Sequence, residues 1–222
     1  MRKKGIIFGG IISVVIIAMI ASVSVSQLDN QSLNLDMERT HGTISTAMGS
    51  PVMGSESAKV TIIEFGDYQC HQCYNWYHNT KDSIVENYIE TGKANLVFVD
   101  LAFLGRDSLK AAAASYCAEE QGKYWEFHDL LYNYQEGIDS GWANSERLKA
   151  FASNLDLDRE LFDSCLDSGK FNKRVQFNIS EAKKQGASGT PTFIIVNSDG
   201  EQQKLVGAQP YSVFKNILDS MI

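Results

Sequence analysis

No basic excess, no block of like charge and no internal repeat marks this chain of 222 residues. With 20 Lys and Arg against 27 Asp and Glu, the net charge is −7. A nucleic-acid-binding role needs a basic face to meet phosphate, so this balance argues against one. The acidic residues are scattered and read as a solvated surface, which names no partner. Cysteine is scarce, with four in all. None follows the apolar N-terminal run closely, so a bacterial-type lipid anchor is not supported. No clear A-x-A closes that run either, which weakens the case for signal cleavage.

What is present begins at the N-terminus. Arg2, Lys3 and Lys4 precede an uncharged run, GIIFGGIISVVIIAMIASVSV, at 5–25. A run of about 20 residues is long enough to span a bilayer core. Basic residues before it place the N-terminus in the cytoplasm and the rest of the chain outside. An uncleaved membrane anchor over 1–25 is therefore favoured. A cleaved signal, giving a secreted protein, is the competing reading. Either way the following domain is exported, where disulfides persist.

Residues 26–54 are polar and aperiodic and read as a tether, with room for a short strand near its end. Asn30 and Asn178 each fit a glycosylation acceptor, a pattern common by chance. Residues 59–65, KVTIIEF, form a buried strand. A helical pattern follows over 71–90, with Trp76, Ile84, Tyr88 and Ile89 inward and Gly92 ending it. A second apolar strand lies at 94–99, which makes a parallel βαβ unit. Residues 106–186 are helical throughout. Strands return at 192–196 and 201–206 around a turn at 198–200, and an amphipathic helix closes the chain at 211–221. The fold class is α/β: one mixed sheet over 55–222 carrying an all-helical insertion, since neither β part closes a core alone.

The chemistry lies in Cys70-His71-Gln72-Cys73. A cysteine at the junction of a buried strand and a helix meets the unpaired N–H groups and positive end of that helix. Both favour thiolate and lower the thiol pKa. Two intervening residues allow one helical turn to bring the sulfurs to bonding distance. Cys70 is thus the exposed nucleophile and Cys73 the buried resolving thiol. An even cysteine count in an exported chain suggests two pairs, which leaves Cys117 and Cys165 for each other. Two free core thiols are the alternative for that second pair.

Four segments carry a resemblance: VTIIEFGDYQCHQC at 60–73, GKYWEFH at 122–128, GASGTPTF at 186–193 and VGAQPY at 206–211. In this order, across 55–222, they resemble the DsbA-like disulfide oxidoreductases of the thioredoxin superfamily. The resemblance implies a thioredoxin fold with Cys70 and Cys73 as the redox pair. Pro191 matches the cis-proline facing that pair, and Thr190 a backbone contact to bound substrate. Glu64 matches a buried acid that accepts a proton from Cys73, with Asp67, expected in an exposed turn, as the other candidate. A second disulfide in the helical part, Cys117–Cys165, agrees with some members. The family commonly has proline where this chain has His71. A protonated imidazole there would stabilise the Cys70 thiolate, a neutral one less, so oxidising strength is not implied.

Competing readings of the same residues are weaker. A purely structural Cys70–Cys73 bridge has no use for the Thr190-Pro191 loop. A zinc site with His71 or His78 lacks nearby cysteine partners. Trp125, Phe127, His128 and Tyr132 fall at helical spacing and read as core. The expected function is oxidation of reduced, exported proteins without a cofactor or metal. Turnover would need a DsbB-like or VKOR-like membrane partner. A disulfide isomerase or reductase is the rival within this chemistry, although no dimerisation segment is visible. A non-catalytic chaperone on the same scaffold is the rival from another class.

Overall fold

The structure is a computed structural model that describes residues 40–41 and 44–222. The expected membrane span and Asn30 lie outside the described residues. Among the described residues no helix is long and apolar enough to cross a membrane.

Two short strands, β1 (Thr40–His41) and β2 (Ile44–Ser45), pair antiparallel. Strand β3 (Val60–Gly66) is buried at every position, as a continuous β-branched and aromatic run covered on both faces must be. The helical run α1 follows. It is α-helical over His71–Trp76 and Asp82–Ile84 and takes wider turns over Tyr77–Lys81 and Val85–Ile89. Gly92, with φ 70°, adopts the left-handed conformation that closes it. Strand β4 (Ala94–Asp100) lies parallel to β3, with Ile62 opposite Leu96 and Glu64 opposite Phe98.

The insertion comprises α2 (Arg106–Glu119), α3 (Tyr124–Asn133), α4 (Ser145–Asn154), α5 (Arg159–Ser168) and α6 (Asn172–Lys184). Helix α2 is buried along most of its length, and α3, α4, α5 and α6 all pack on it. Its alanines at 111–114 are the small residues that such close approach from several sides requires. The disulfide Cys117–Cys165 (S–S 2.06 Å) ties α2 to α5, as expected for the second pair. Phe127, His128 and Tyr132 are buried and Trp125 half-buried, in keeping with the core reading.

After the insertion come β5 (Thr192–Asn197), β6 (Gln202–Val206) and α7 (Tyr211–Met221). The four-stranded sheet runs β4-β3-β5-β6, with β5 antiparallel to both β3 and β6. Period-2 alternation divides its side chains between two cores. Val60, Ile62, Leu96, Phe193 and Ile195 pack with Trp76, Ile84 and Tyr88 of α1 and Phe214 and Leu218 of α7. Ile63, Phe65, Val97, Val99, Ile194 and Val196 pack against the insertion. This is the expected thioredoxin fold with its helical insertion.

The end of the expected tether is instead built into the domain. Ser50 N–H donates to Phe98 O (2.8 Å), Phe98 N–H donates to Ser50 Oγ (2.9 Å), and Met53 pairs antiparallel with Leu96 along β4. Arg174 of α6 donates to Met48 O (2.9 Å) and Gly49 O (2.6 Å) while its guanidinium stacks 3.8 Å over Tyr116. Gly49 suits this crossing because a Cβ there would lie 3.0 Å from Phe98 O. Asn178 is corrected as a glycosylation acceptor. It is buried, and its amide donates to Met48 O (2.7 Å), Asp100 Oδ2 (2.8 Å) and Tyr116 Oη (2.8 Å).

Candidate active site

Strand β3 ends at Gly66, and the turn after it delivers Cys70 to the position just before α1. Asp67 builds that turn. It is buried rather than exposed as expected, and it serves as an acceptor rather than a second proton carrier. Its carboxylate takes N–H bonds from Gln69 (2.9 Å), Phe103 (2.9 Å) and Leu104 (3.0 Å), while its carbonyl takes the Cys70 N–H (2.9 Å). Cys70 then sits as the N-cap in extended conformation (φ −82°, ψ 117°), and its Sγ accepts the Cys73 N–H at 3.3 Å. The peptide bond between Thr190 and Pro191 is cis, and Thr190 O lies 3.2 Å from Cys70 Sγ. Both cysteines are thiols here.

The two sulfurs differ in accessibility and acidity. Cys70 keeps 6% of its surface exposed, Cys73 none, so attack from outside can fall only on Cys70. The Cys70 pKa is lowered to about 6, first by the hydrogen bond from the Cys73 thiol. Burial opposes this, and bonds from the Thr190 side chain and the Cys73 and Gln72 N–H groups add to it. The Thr190 carbonyl, which favours the protonated thiol, is outweighed by these donors. Burial pushes Cys73 the other way, reinforced by its bond to Cys70 and by the charges of Cys70 and Glu64.

Glu64 lies one pleat before the end of β3, on the face that α1 covers, and is 1% exposed. Its Oε1 has no hydrogen-bond partner. Burial raises its pKa to about 8, with Lys81 acting downward and Cys70 upward. Lys81, which the sequence reading missed, is buried. Its ammonium pairs with Asp129 at 2.9 Å and acts electrostatically on Glu64. Asp129 also meets His128 Nδ1 at 3.3 Å, and burial lowers the His128 pKa to about 4. Buried acid, buried ammonium and half-exposed Asp129 thus form a chain of ionisable groups from beneath the cysteines towards the surface.

His71 and Gln72 point outward. The His71 ring stacks on Tyr74 (5.9 Å between centroids, 8° between planes). With Gln69, Leu104 and Gln135 these two rings line a groove of about 510 Å³ beside Cys70. A second groove of about 380 Å³, lined by Leu101, Phe103 and Ala187, borders the loop that carries Thr190. Gln135, also unforeseen, donates from its side-chain amide to Tyr68 O (2.5 Å) and Cys70 O (3.1 Å). Among the described residues no three His, Cys, Asp or Glu side chains converge as metal ligands.

A dithiol with one acidic sulfur that keeps a sliver of accessible surface, rather than the exposed one expected, and one fully buried sulfur, with a cis-proline loop against it and a carboxyl beneath, defines a thiol–disulfide oxidoreductase of the thioredoxin class. The family model described as thioredoxin matches residues 46–220. The chain is 30% identical over 150 residues to disulfide bond formation protein D of Bacillus subtilis, covering 66% of this chain and 68% of that one. The oxidised crystal structure of BdbD from the same species superposes with TM-score 0.72 at 25% identity, covering 82% of this chain and 97% of that one. That of α-DsbA1 from Wolbachia pipientis gives TM-score 0.67 at 28% identity, covering 77% and 89%. The chain belongs to the thioredoxin family, and within it to the DsbA-like protein disulfide oxidoreductases.

Proposed function

We propose that the protein oxidises thiols of reduced, exported polypeptides, passing its Cys70–Cys73 disulfide to them. The observation that carries this reading is the placement of Cys70 Sγ as N-cap of α1, accepting the Cys73 N–H at 3.3 Å beside the cis-proline loop, a setting whose hydrogen bonds favour the thiolate and lower its pKa to about 6. A stabilised thiolate stabilises the dithiol form, and a disulfide whose reduced form is stabilised is an oxidant. A substrate thiolate attacks Cys70 Sγ of the disulfide, the Cys70–Cys73 bond breaks, and Cys73 leaves with the electron pair. Glu64, protonated below about pH 8, gives the Cys73 thiolate its proton. A second substrate thiolate then attacks the substrate sulfur of the mixed disulfide and expels Cys70 as thiolate. Two electrons have moved from substrate to enzyme. In the reverse half-cycle Glu64 takes the proton back, and Lys81 supports its carboxylate. Thr190 and Pro191 receive the substrate backbone beside Cys70, and His71 and Gln72 meet it from the helix end.

Re-oxidation needs a redox partner, for which a DsbB-like or VKOR-like membrane protein has the required chemistry. The uncharged run at 5–25, behind Arg2, Lys3 and Lys4, supports a membrane anchor with the domain on the outer side. The full chain is then expected to stay with membranes through alkaline carbonate and to be digested by protease added to spheroplasts. Release into the carbonate supernatant would overturn the anchor.

Equilibration of the domain with glutathione tests the direction of electron flow. A potential near about −120 mV is expected, whereas about −270 mV would make the protein a reductase or isomerase instead.

A further inference from the structure

The helical insertion does more than cover one face of the sheet. Its loop after α3 reaches back and grips the turn that presents Cys70. The Gln135 amide spends both N–H bonds on two carbonyls, Tyr68 O and Cys70 O, that flank Gln69. Cys70 O also accepts the Tyr74 N–H at 3.0 Å, so both its lone pairs are engaged, one by α1 and one by the insertion. Gln69 between them is held as well. Its Oε1 accepts the Asp139 N–H (2.7 Å), and its amide donates to Ser108 Oγ (3.0 Å) and Asp139 Oδ1 (3.3 Å). Asp139 adopts φ 52°, a left-handed conformation that aspartate tolerates, and also accepts from Arg106 N–H and Asp107 N–H at 3.1 Å each. The contact is tight: a Cβ on Gly105 would lie 2.5 Å from both Asp139 Oδ1 and Gln69 Nε2.

This grip fixes the backbone torsion that aims the nucleophile. With Cys70 held at ψ 117°, its Sγ stays 3.3 Å from the Cys73 N–H. Rotation of the Cys70 carbonyl would swing the helix N-terminus away from the sulfur. The positive end of the Gln135 amide also lies against the residue that carries the thiolate.

We propose that Gln135, carried on the helical insertion, is a positioning residue for Cys70: by holding the Tyr68 and Cys70 carbonyls it keeps the thiolate over the N-terminus of α1. The proposal rests on the oxidase reading above. A merely structural role for Gln135, that of pairing a buried carbonyl, predicts lost stability with unchanged sulfur chemistry.

Gln135→Leu removes the two donors, and Gln135→Glu keeps the shape while replacing the donors with a charge of the wrong sign. Gln135→His retains a ring N–H. The readouts on the whole domain are the Cys70 titration, followed by thiolate ultraviolet absorbance, the equilibrium constant with glutathione and the melting temperature. In Gln135→Leu the titration midpoint is expected to rise by about one pH unit, and the glutathione equilibrium to move about tenfold towards the disulfide, a shift of about 30 mV. Gln135→Glu should move both further, and Gln135→His, which keeps one donor of the two, should fall between the parent and Gln135→Leu. A parent midpoint already depressed, with Gln135→Leu and Gln135→Glu folded and unshifted, overturns the role of Gln135 and leaves the oxidase reading standing. A parent midpoint near the ordinary thiol value of about 8.5 sinks the oxidase reading itself. If Gln135→Leu does not fold, the isosteric Gln135→Glu decides.

Discussion

Burial favours the neutral form of both Glu64 and Cys70, and only at Cys70 do hydrogen bonds overcome it. Cys70 has donors to hold its charge, whereas the Glu64 Oε1 has none and favours its neutral form. The sign of the pH effect follows. The folded-state pKa of Glu64, about 8, exceeds its ordinary value of 4.5. Its contribution to stability is therefore full below about pH 4.5 and is lost as pH rises through about 8. Glu64→Gln is neutral at every pH, so its melting temperature should exceed that of the parent more at about pH 8 than at about pH 5. The same substitution removes the proton carrier, and re-oxidation should slow by roughly 10²-fold, the low end for a positioned acid–base group. Stopped-flow thiol exchange and calorimetry check the two effects, and an unchanged rate would return Glu64 to a structural role. Glu64 was legible through the resemblance, which matches it, six residues before the first cysteine on the buried strand, to a buried acid. Lys81 was not. A lysine in a polar stretch of helix reads as solvent-facing, whereas Lys81 ends the wider turn over Tyr77–Lys81 and is buried, paired with Asp129.

Among elements, the bond between α2 and α5 ties two helices of the insertion together, and it is expected to serve the insertion rather than the reaction. The cysteines are 48 residues apart, and closing such a loop stabilises by about 4 kcal/mol on the chain-entropy model. The double variant Cys117→Ala, Cys165→Ala should melt lower by denaturant titration while its glutathione equilibrium stays at the parent value. A shifted equilibrium would mean the second pair takes part in exchange. Regular elements were legible wherever a period declared them: β3, β4 and β5 as apolar runs, α7 as a clean amphipathic stripe. The stretch from 44 to 53 was not. It joins β4 through main-chain atoms, Ser50 and Met53, and α6 grasps its carbonyls. Carbonyls have no letter in a sequence.

For the molecule as a whole, the redox state of one bond and the stability of the fold are linked. A hydrogen-bonded thiolate strengthens the native state only when the Cys70–Cys73 bond is open, so the dithiol form should melt at a higher temperature than the disulfide form. Paired thermal scans at neutral pH check this, and the reverse order would contradict an oxidising pair. Topology was legible because the motifs fall in the order the fold needs, from VTIIEFGDYQCHQC to VGAQPY. The hold of the insertion on the active-site turn was not. Its contacts join residues 39 to 70 positions apart, among polar side chains and backbone.

The stitching of residues 44–53 also imposes an order of events on a chain made from its N-terminus. Met48 and Gly49 cannot be clasped until Arg174 and Asn178 exist, 125 to 130 residues later. The clasp on the first described stretch to leave the ribosome is therefore among the last contacts to form. Until then only Ser50 and Met53, paired along β4, can hold that stretch there.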